Sequence, residues 1–382
     1  MWVSLRSDCI PRKVDYMRVL ILANYDAGLY KFRRELLETL IKENEIFFCV
    51  PDGEYIDHIK ALGCQYVPCG LLNRHGVNPL KELQLLRYYQ KLLRNICPDV
   101  VLTYTIKPNV YGGMACAKMG VPYIVNITGL GSAIENSGML QKIALQLYRV
   151  GLKKARVVFF QNEDNLRFFM EHNIFSGKME RLPGSGVSTD YHTFVPYPEN
   201  TKDIVFSTVG RIMRDKGCME LAEAARQVKQ KYPEVRFRMI GFFDENCPAE
   251  FRDAIQSGVV EHVENQQDVR PFYAGSHAII HPSYHEGMSN VLLEAAATGR
   301  PVIASNIPGC RETFDEGISG IGFEPRNADD LICAIERFIA LPHEQKASMG
   351  FEGRKKMERE FSRQIVVNAY IKEIEKIKYA AL

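Results

Sequence analysis

Two carboxylates, Glu286 and Glu294, stand eight positions apart in the string His281-Pro-Ser-Tyr-His-Glu-Gly-Met-Ser-Asn-Val-Leu-Leu-Glu-Ala-Ala-Ala-Thr-Gly-Arg-Pro-Val-Ile-Ala-Ser305. The string reads as strand, loop, helix, strand. Ala278 to His281 is a short apolar run ended by Pro282, which has no N–H to give a ladder. Ser289 and Asn290 are natural N-caps for a helix through Leu292 and Leu293 to Ala297, and Gly299 closes it. One carboxylate therefore sits on the loop and the other in the second helical turn. A helix start exposes unpaired N–H groups and a positive dipole end, here at Gly287, Met288 and Ser289, which suits a phosphate. Carboxylates on either side can accept hydrogen bonds from sugar hydroxyls. Against this stands a plainer reading, since any strand–loop–helix unit has a cap and a nearby Glu.

A second constellation is Thr208-Val-Gly-Arg-Ile-Met-Arg-Asp-Lys-Gly217. A buried strand ends at Gly210, and Arg211 and Lys216 lie on the loop that leads into a helix. Ligands bind parallel sheets at such carboxyl-end loops. A guanidinium grips a diphosphate through paired N–H groups, and an ammonium adds a point charge. The first half offers polar residues at strand ends instead. These are Gly28, Tyr30 and Lys31 after the first strand, Thr105 and Lys107 in Asp99 to Gly113, and Asn126 and Thr128 in Val125 to Ser132, where Gly129 and Gly131 permit tight turns.

These residues need a frame of alternating strands and helices. Nearly all-apolar strands are read at 18–24, 45–50, 64–68, 99–104, 123–127 and 157–161, alternating with helices at 29–42, 55–62, 79–95, one ending near Gly120, 138–154 and 163–172. Such alternation predicts a doubly wound parallel sheet. The Pro-, Gly- and polar-rich stretch from Pro183 to Asn200 reads as a linker. A second α/β series follows at 203–210, 217–231, 236–241, 248–257, 259–263, 269–274 and 320–323. The last helix, 363–378, carries Ile365, Tyr370, Ile371, Ile374 and Ile377 as an apolar face.

The bulk numbers narrow the class. The chain has 382 residues and a formal charge of +2, and no apolar run reaches the ~20 residues of a membrane-spanning helix. Residues 1–16 lack the apolar core of a secretory signal, so Met17 opens the first strand and 1–16 read as an unstructured lead. Ten cysteines without a C-x-x-C pair indicate a reducing cytoplasm rather than a disulfide or zinc scaffold. The charge is asymmetric: residues 1–197 hold 24 basic and 18 acidic side chains (24 − 18 = +6), and the rest hold 24 and 28 (−4). Lys31, Arg33, Arg34, Lys81, Arg87, Lys91 and Arg94 make the first half a candidate for an anionic surface.

The Glu286 to Ser305 string resembles the E-x7-E signature of the family 4 retaining glycosyltransferases, and Gly210-Arg…Lys-Gly217 resembles the motif with which that family holds a nucleotide diphosphate. The resemblance implies the α/β GT-B fold: two doubly wound Rossmann-like domains, 17–196 and 197–362, facing a cleft, with a C-terminal helix, 363–382, crossing back to the first. It implies donor contacts from Gly28, Gly210, Arg211, Lys216, Glu286, Gly287, Met288, Ser289, Asn290 and Glu294. Of these, Glu286 would take the hexose hydroxyls and Glu294 the ribose. Arg211, Lys216 and the N–H groups at 287–289 would face the charge that grows on the leaving diphosphate, where losing one donor costs ~10²–10³ in rate.

The strings at 99–113 and 125–132 resemble a bacterial subgroup that adds N-acetylhexosamine, notably N-acetylgalactosamine, to undecaprenyl-diphosphate-linked sugars. By that likeness Tyr30, Lys31, Thr105, Lys107 and Asn126 bind the acceptor. The chain departs from the family twice: Ala27 replaces one glycine of a Gly-Gly loop, and Thr128, a catalytic candidate with Arg211, Lys216 and Glu286, stands where many members have His, which leaves the general base open. No metal or cofactor is expected beyond the UDP-sugar, and no nucleic acid. The expected place is the cytoplasm, peripheral on the inner face of the plasma membrane. The rival readings are a UDP-N-acetylglucosamine 2-epimerase and a non-catalytic sugar-nucleotide-binding subunit.

Overall fold

A computed structural model describes residues 16–72, 78–130, 138–199, 203–244 and 247–380. The lead expected at 1–16, except Tyr16, and Gly131 lie outside the described residues. The chain divides into two compact units, residues 1–185 with 364–382, and residues 186–363.

The first unit is built on a seven-stranded sheet. Its strands are β1 (Met17–Leu22), β2 (Asn44–Val50), β3 (Gln65–Pro68), β4 (Val100–Tyr104), β5 (Tyr123–Ile127), β6 (Val157–Phe160) and β7 (Met179–Arg181). The order is β3-β2-β1-β4-β5-β6-β7 and every pairing is parallel. Strand β7 was not expected from its polar sequence; it is a short edge strand paired only with β6. Every residue of β1, β4, β5 and β6 is buried, as a sheet covered on both faces requires.

The alternation along β1 assigns the helices to faces. Val19 and Ile21 pack with the helices Asp26–Leu40, Ile56–Ala61 and Arg363–Ala380. Leu20 and Leu22 pack with Pro79–Ile96 and Met139–Leu152. The C-terminal helix contributes Val366, Val367, Tyr370, Ile374 and Ile377 to the core. Ile365, expected on that face, is exposed, and Val366 and Val367 take its place. The two basic helices thus lie on opposite faces of one sheet, and Arg33 is 4% exposed against the Tyr104 ring. The seven cations named from the sequence therefore do not share a surface.

The second unit carries a six-stranded parallel sheet: β8 (Val205–Val209), β9 (Arg236–Ile240), β10 (Glu261–Val263), β11 (Ala278–His281), β12 (Val302–Ser305) and β13 (Gly320–Phe323). The order is β10-β9-β8-β11-β12-β13, so the winding direction reverses between β8 and β11. In the first sheet the reversal lies between β1 and β4. Loops that diverge at such a reversal leave a crevice at the carboxyl edge.

The stretch expected to be a linker is packed onto the second unit, and the division falls at 185/186 rather than 196/197. Val187 donates to Phe361 O at 2.8 Å, and Val195 to Thr298 O at 3.1 Å. Arg300, fully buried, donates to the carbonyls of Tyr273, Ala274, Val195, Pro196 and Gly299 at 2.9–3.0 Å. One guanidinium thereby ties residues 195–196 to the frame of the site. Arg300→Leu strands those carbonyls, and a loss of about 3 kcal/mol in urea denaturation is expected; a loss below about 1 kcal/mol contradicts this role.

Candidate active site

The loops after β8 and β11, on either side of the reversal, carry the residues singled out for chemistry. Three features bring them together. Tyr284 N–H donates to Asp215 O at 2.9 Å, which joins the loops directly. Gly217, at φ 70°, packs so close to Pro282 that a Cβ there would stand 2.0 Å from the Pro282 carbonyl oxygen. Gly309, at φ 79°, holds the other side, where a Cβ would meet Gly287 O at 2.6 Å.

At the centre, Lys216 Nζ lies 2.5 Å from Glu286 Oε1 and 3.3 Å from Ser283 Oγ. His281, the last residue of β11 and buried, places Nε2 2.9 Å from the same Oε1. Burial by itself would raise the Glu286 pKa. The Lys216 charge, with hydrogen bonds from His281 and Lys216, overrides it and holds the carboxyl well below the ordinary range. Cys310, buried beside this carboxylate, has its thiol pushed up by burial and by the Glu286 charge.

The helix after this loop runs Asn290–Ala297. Ser289 alone is its cap, accepting from Leu292 N–H at 3.4 Å. Its own N–H donates to Gly309 O at 2.8 Å, which takes Ser289 out of the set of backbone anion donors. In the second turn Glu294 Oε2 accepts from the hydroxyl of Tyr273 at 2.9 Å. Arg211 is half exposed and pairs with Asp244 at 3.2 Å. Gly210 adopts φ 144° at the end of β8.

The first unit's candidates separate. Gly28 lies inside the first turn of the helix Asp26–Leu40, which begins three residues earlier than expected because Asp26 is anchored, its carboxylate accepting from Tyr55 N–H at 2.7 Å. Tyr30 stacks on Tyr55 with centroids 5.4 Å apart, and Lys31 Nζ lies 5.3 Å from the Tyr55 centroid. Asn126 is 1% exposed and fully engaged. Its Nδ2 donates to Tyr370 OH at 2.8 Å, its Oδ1 accepts from Gln161 at 3.4 Å, and its carbonyl accepts from Asn109 at 2.9 Å. A side chain so enclosed holds the fold and does not reach an acceptor.

Thr105 and Lys107 remain at the carboxyl edge, beside the reversal. Thr105 has φ 72°, a strained value for a β-branched residue, and its hydroxyl turns back to the Tyr104 carbonyl. Lys107 Nζ pairs with Glu82 at 2.7 Å and keeps 23% of its side chain exposed. Thr128 is half-buried just beyond β5. The sequence reading missed His281, Ser283 and Tyr273. The signal for His281 was present, as a titratable residue ending a buried strand five positions before a loop carboxylate.

Residues 22–162 match the family described as Glycosyl transferase 4-like, and residues 203–340 match Glycosyl transferases group 1. Between them these spans cover most of the chain, one in each unit. The chain belongs to this glycosyltransferase family and has the GT-B fold. It is 25% identical to the N,N'-diacetylbacillosaminyl-diphospho-undecaprenol alpha-1,3-N-acetylgalactosaminyltransferase of Campylobacter jejuni, across 94% of this chain and 99% of that one. It is 26% identical to an Escherichia coli UDP-Gal:alpha-D-GlcNAc-diphosphoundecaprenol alpha-1,3-galactosyltransferase, across 80% and 83%. Anabaena HepE, solved in complex with UDP and glucose, superposes with a TM-score of 0.74 at 16% identity, across 94% of this chain and all of that one.

The Lys216–Glu286 pair generates a prediction. Glu286→Gln removes the carboxylate that competes for Lys216 and repels a diphosphate, so UDP is expected to bind roughly 3- to 10-fold more tightly in titration calorimetry. Because the Glu286 pKa is depressed in the folded protein, the pair is intact above the ordinary carboxylate range and is lost only as pH falls through the lower folded value. The difference between the two proteins therefore persists through the ordinary carboxylate range, to below about pH 4. Weaker UDP binding by the variant contradicts the competition.

Proposed function

We propose that the chain is a retaining, metal-independent glycosyltransferase that moves an N-acetylhexosamine, such as N-acetylgalactosamine, from its UDP derivative to a lipid-diphosphate-linked sugar. The observation that carries the donor half is the convergence of Lys216, Glu286 and Glu294 on the carboxyl edge at the β8/β11 reversal. Lys216 has three N–H bonds. Glu286 and Ser283 take two of them in the resting protein, and the third is available to a phosphate oxygen. Arg211 adds a second cation on the same loop. As the anomeric C–O bond breaks, charge moves onto the leaving diphosphate, and these donors stabilise it where it forms. Glu294, with one oxygen held by Tyr273, suits ribose hydroxyls, and Glu286 the hexose.

The acceptor half is supported by near full-length similarity to a transferase named for an undecaprenyl-diphosphate acceptor. Thr105, Lys107 and Thr128 are the residues assigned to it. A lipid-linked acceptor places the first unit on a membrane surface. Among the described residues no helix is long and apolar enough to cross a membrane. On the sheet face of the helices Pro79–Ile96 and Met139–Leu152, however, Leu80 is 73%, Met139 79% and Leu140 64% exposed, beside Lys81 and Lys142. Both helices follow strands of a parallel sheet, so their first turns lie at its carboxyl edge. Basic residues there contribute about 1 kcal/mol each on an anionic bilayer.

Two experiments test this reading. Lys216→Ala and Glu294→Ala are each expected to lower transfer from UDP-sugar to a lipid-diphosphate-linked sugar by roughly 10²–10³-fold. Unchanged turnover, or epimerised UDP-sugar formed without any acceptor, contradicts it. On vesicles containing anionic lipid, binding is expected to weaken with salt and to fall further in a Met139→Ser/Leu140→Ser variant; no binding at any ionic strength contradicts the surface assignment.

A further inference from the structure

Glu286 presents its two oxygens unequally. Oε1 receives both donors, Lys216 at 2.5 Å and His281 at 2.9 Å. Oε2 has no hydrogen-bond partner among the described residues, and the side chain keeps 16% of its surface open. A carboxylate on a loop ordinarily rotates about its terminal torsion, which is broad and roughly two-fold. Two donors converging on one oxygen from different elements remove that freedom. Lys216 comes from the loop after β8, and His281 from the end of β11 itself.

The two donors differ in what they can hold when a nucleotide-sugar arrives. Lys216 is a long cationic side chain, 26% exposed, for which a diphosphate would compete. His281 is buried, in register opposite Ala304 of the adjacent strand β12, and cannot follow. It is the fixed member of the pair.

We propose that His281 is a positioning residue that sets donor-sugar selectivity, holding Glu286 Oε1 through Nε2–H so that Oε2 alone faces the hydroxyls of the hexose. This rests on the donor-site reading above and extends it to a residue that neither donor motif includes. A carboxylate fixed in one orientation discriminates between epimeric hydroxyls, because the wrong epimer leaves a buried acceptor unpaired. A carboxylate free to rotate accepts from either.

The test compares His281→Phe, which keeps the ring's bulk and loses the donor, with His281→Gln, which puts an amide N–H near the position of Nε2. His281→Phe is expected to raise KM for the UDP-sugar roughly tenfold and to bring the kcat/KM ratio of UDP-N-acetylgalactosamine to UDP-N-acetylglucosamine toward about one. UDP itself should bind both variants within about twofold of the parent, since it lacks the hexose. His281→Gln should restore KM and preference to within about threefold of the parent. The proposal is overturned if His281→Phe, at an unchanged melting temperature, leaves KM and preference alone. It is equally overturned if His281→Gln fails to restore them, since bulk alone then accounts for the residue. If Glu286→Ala does not raise KM for the UDP-sugar, the donor-site reading falls and this inference with it. If Glu286→Ala raises KM and His281→Phe does not, only the role of His281 falls.

Discussion

The second unit's site depends on one ion pair across a topological reversal. Lys216 and Glu286 are 70 positions apart in sequence and 2.5 Å apart in space. They meet because β8 and β11 are adjacent parallel strands at the reversal, so their carboxyl-end loops flank one crevice. The pair is partly buried, and such a pair is a poor source of net stability because desolvation offsets the attraction. Its value lies in specification. It holds an ammonium and a carboxylate at hydrogen-bond distance, each able to exchange its partner for a ligand group. Gly217 and Gly309 are required because the approach leaves no room for a Cβ at either place.

How much of this was legible beforehand depends on the kind of information involved. The two donor loops were readable because their signals are local: a buried strand, a breaker, a cation or carboxylate, a cap and a helix. The parallel class of each sheet was equally plain from uninterrupted apolar strands. What escaped reading depends on register between distant segments. His281 was read as the end of its strand, but its partner Glu286 sits on a loop shaped by Asp215, Gly217 and Gly309 from distant segments. Asn126 looked like an acceptor contact because it ends an apolar strand, yet Tyr370, far along the chain, encloses it. Residues 186–197 have the composition of a linker, and Arg300, more than a hundred positions later, packs their end at 195–196 onto the second unit. Composition reports local preference, whereas burial is decided by what arrives from elsewhere.

The units invest in different chemistry. The second brings Lys216, Glu286 and Glu294 together around a helix start. The first has a strained Thr105 and a Lys107–Glu82 pair beside its own reversal, with half-buried Thr128 one strand further along the same edge. Its exposed apolar helix starts, Leu80 and Met139–Leu140, belong to the same edge. Backbone strain persists only where surrounding structure imposes it, and it concentrates at working sites. Thr105, at φ 72°, carries such strain at the carboxyl edge of the first sheet.

The central claim is that Lys216 is shared, held by Glu286 at rest and by the donor diphosphate when it binds. A double-mutant cycle on UDP affinity measures this directly, using the parent protein, Lys216→Met, Glu286→Gln and the double variant in titration calorimetry. Sharing predicts that Glu286→Gln tightens UDP binding more in the parent than in the Lys216→Met background, with a coupling energy of about 1 kcal/mol or more. Strictly additive effects, with the Glu286→Gln change undiminished in the Lys216→Met background, would contradict it.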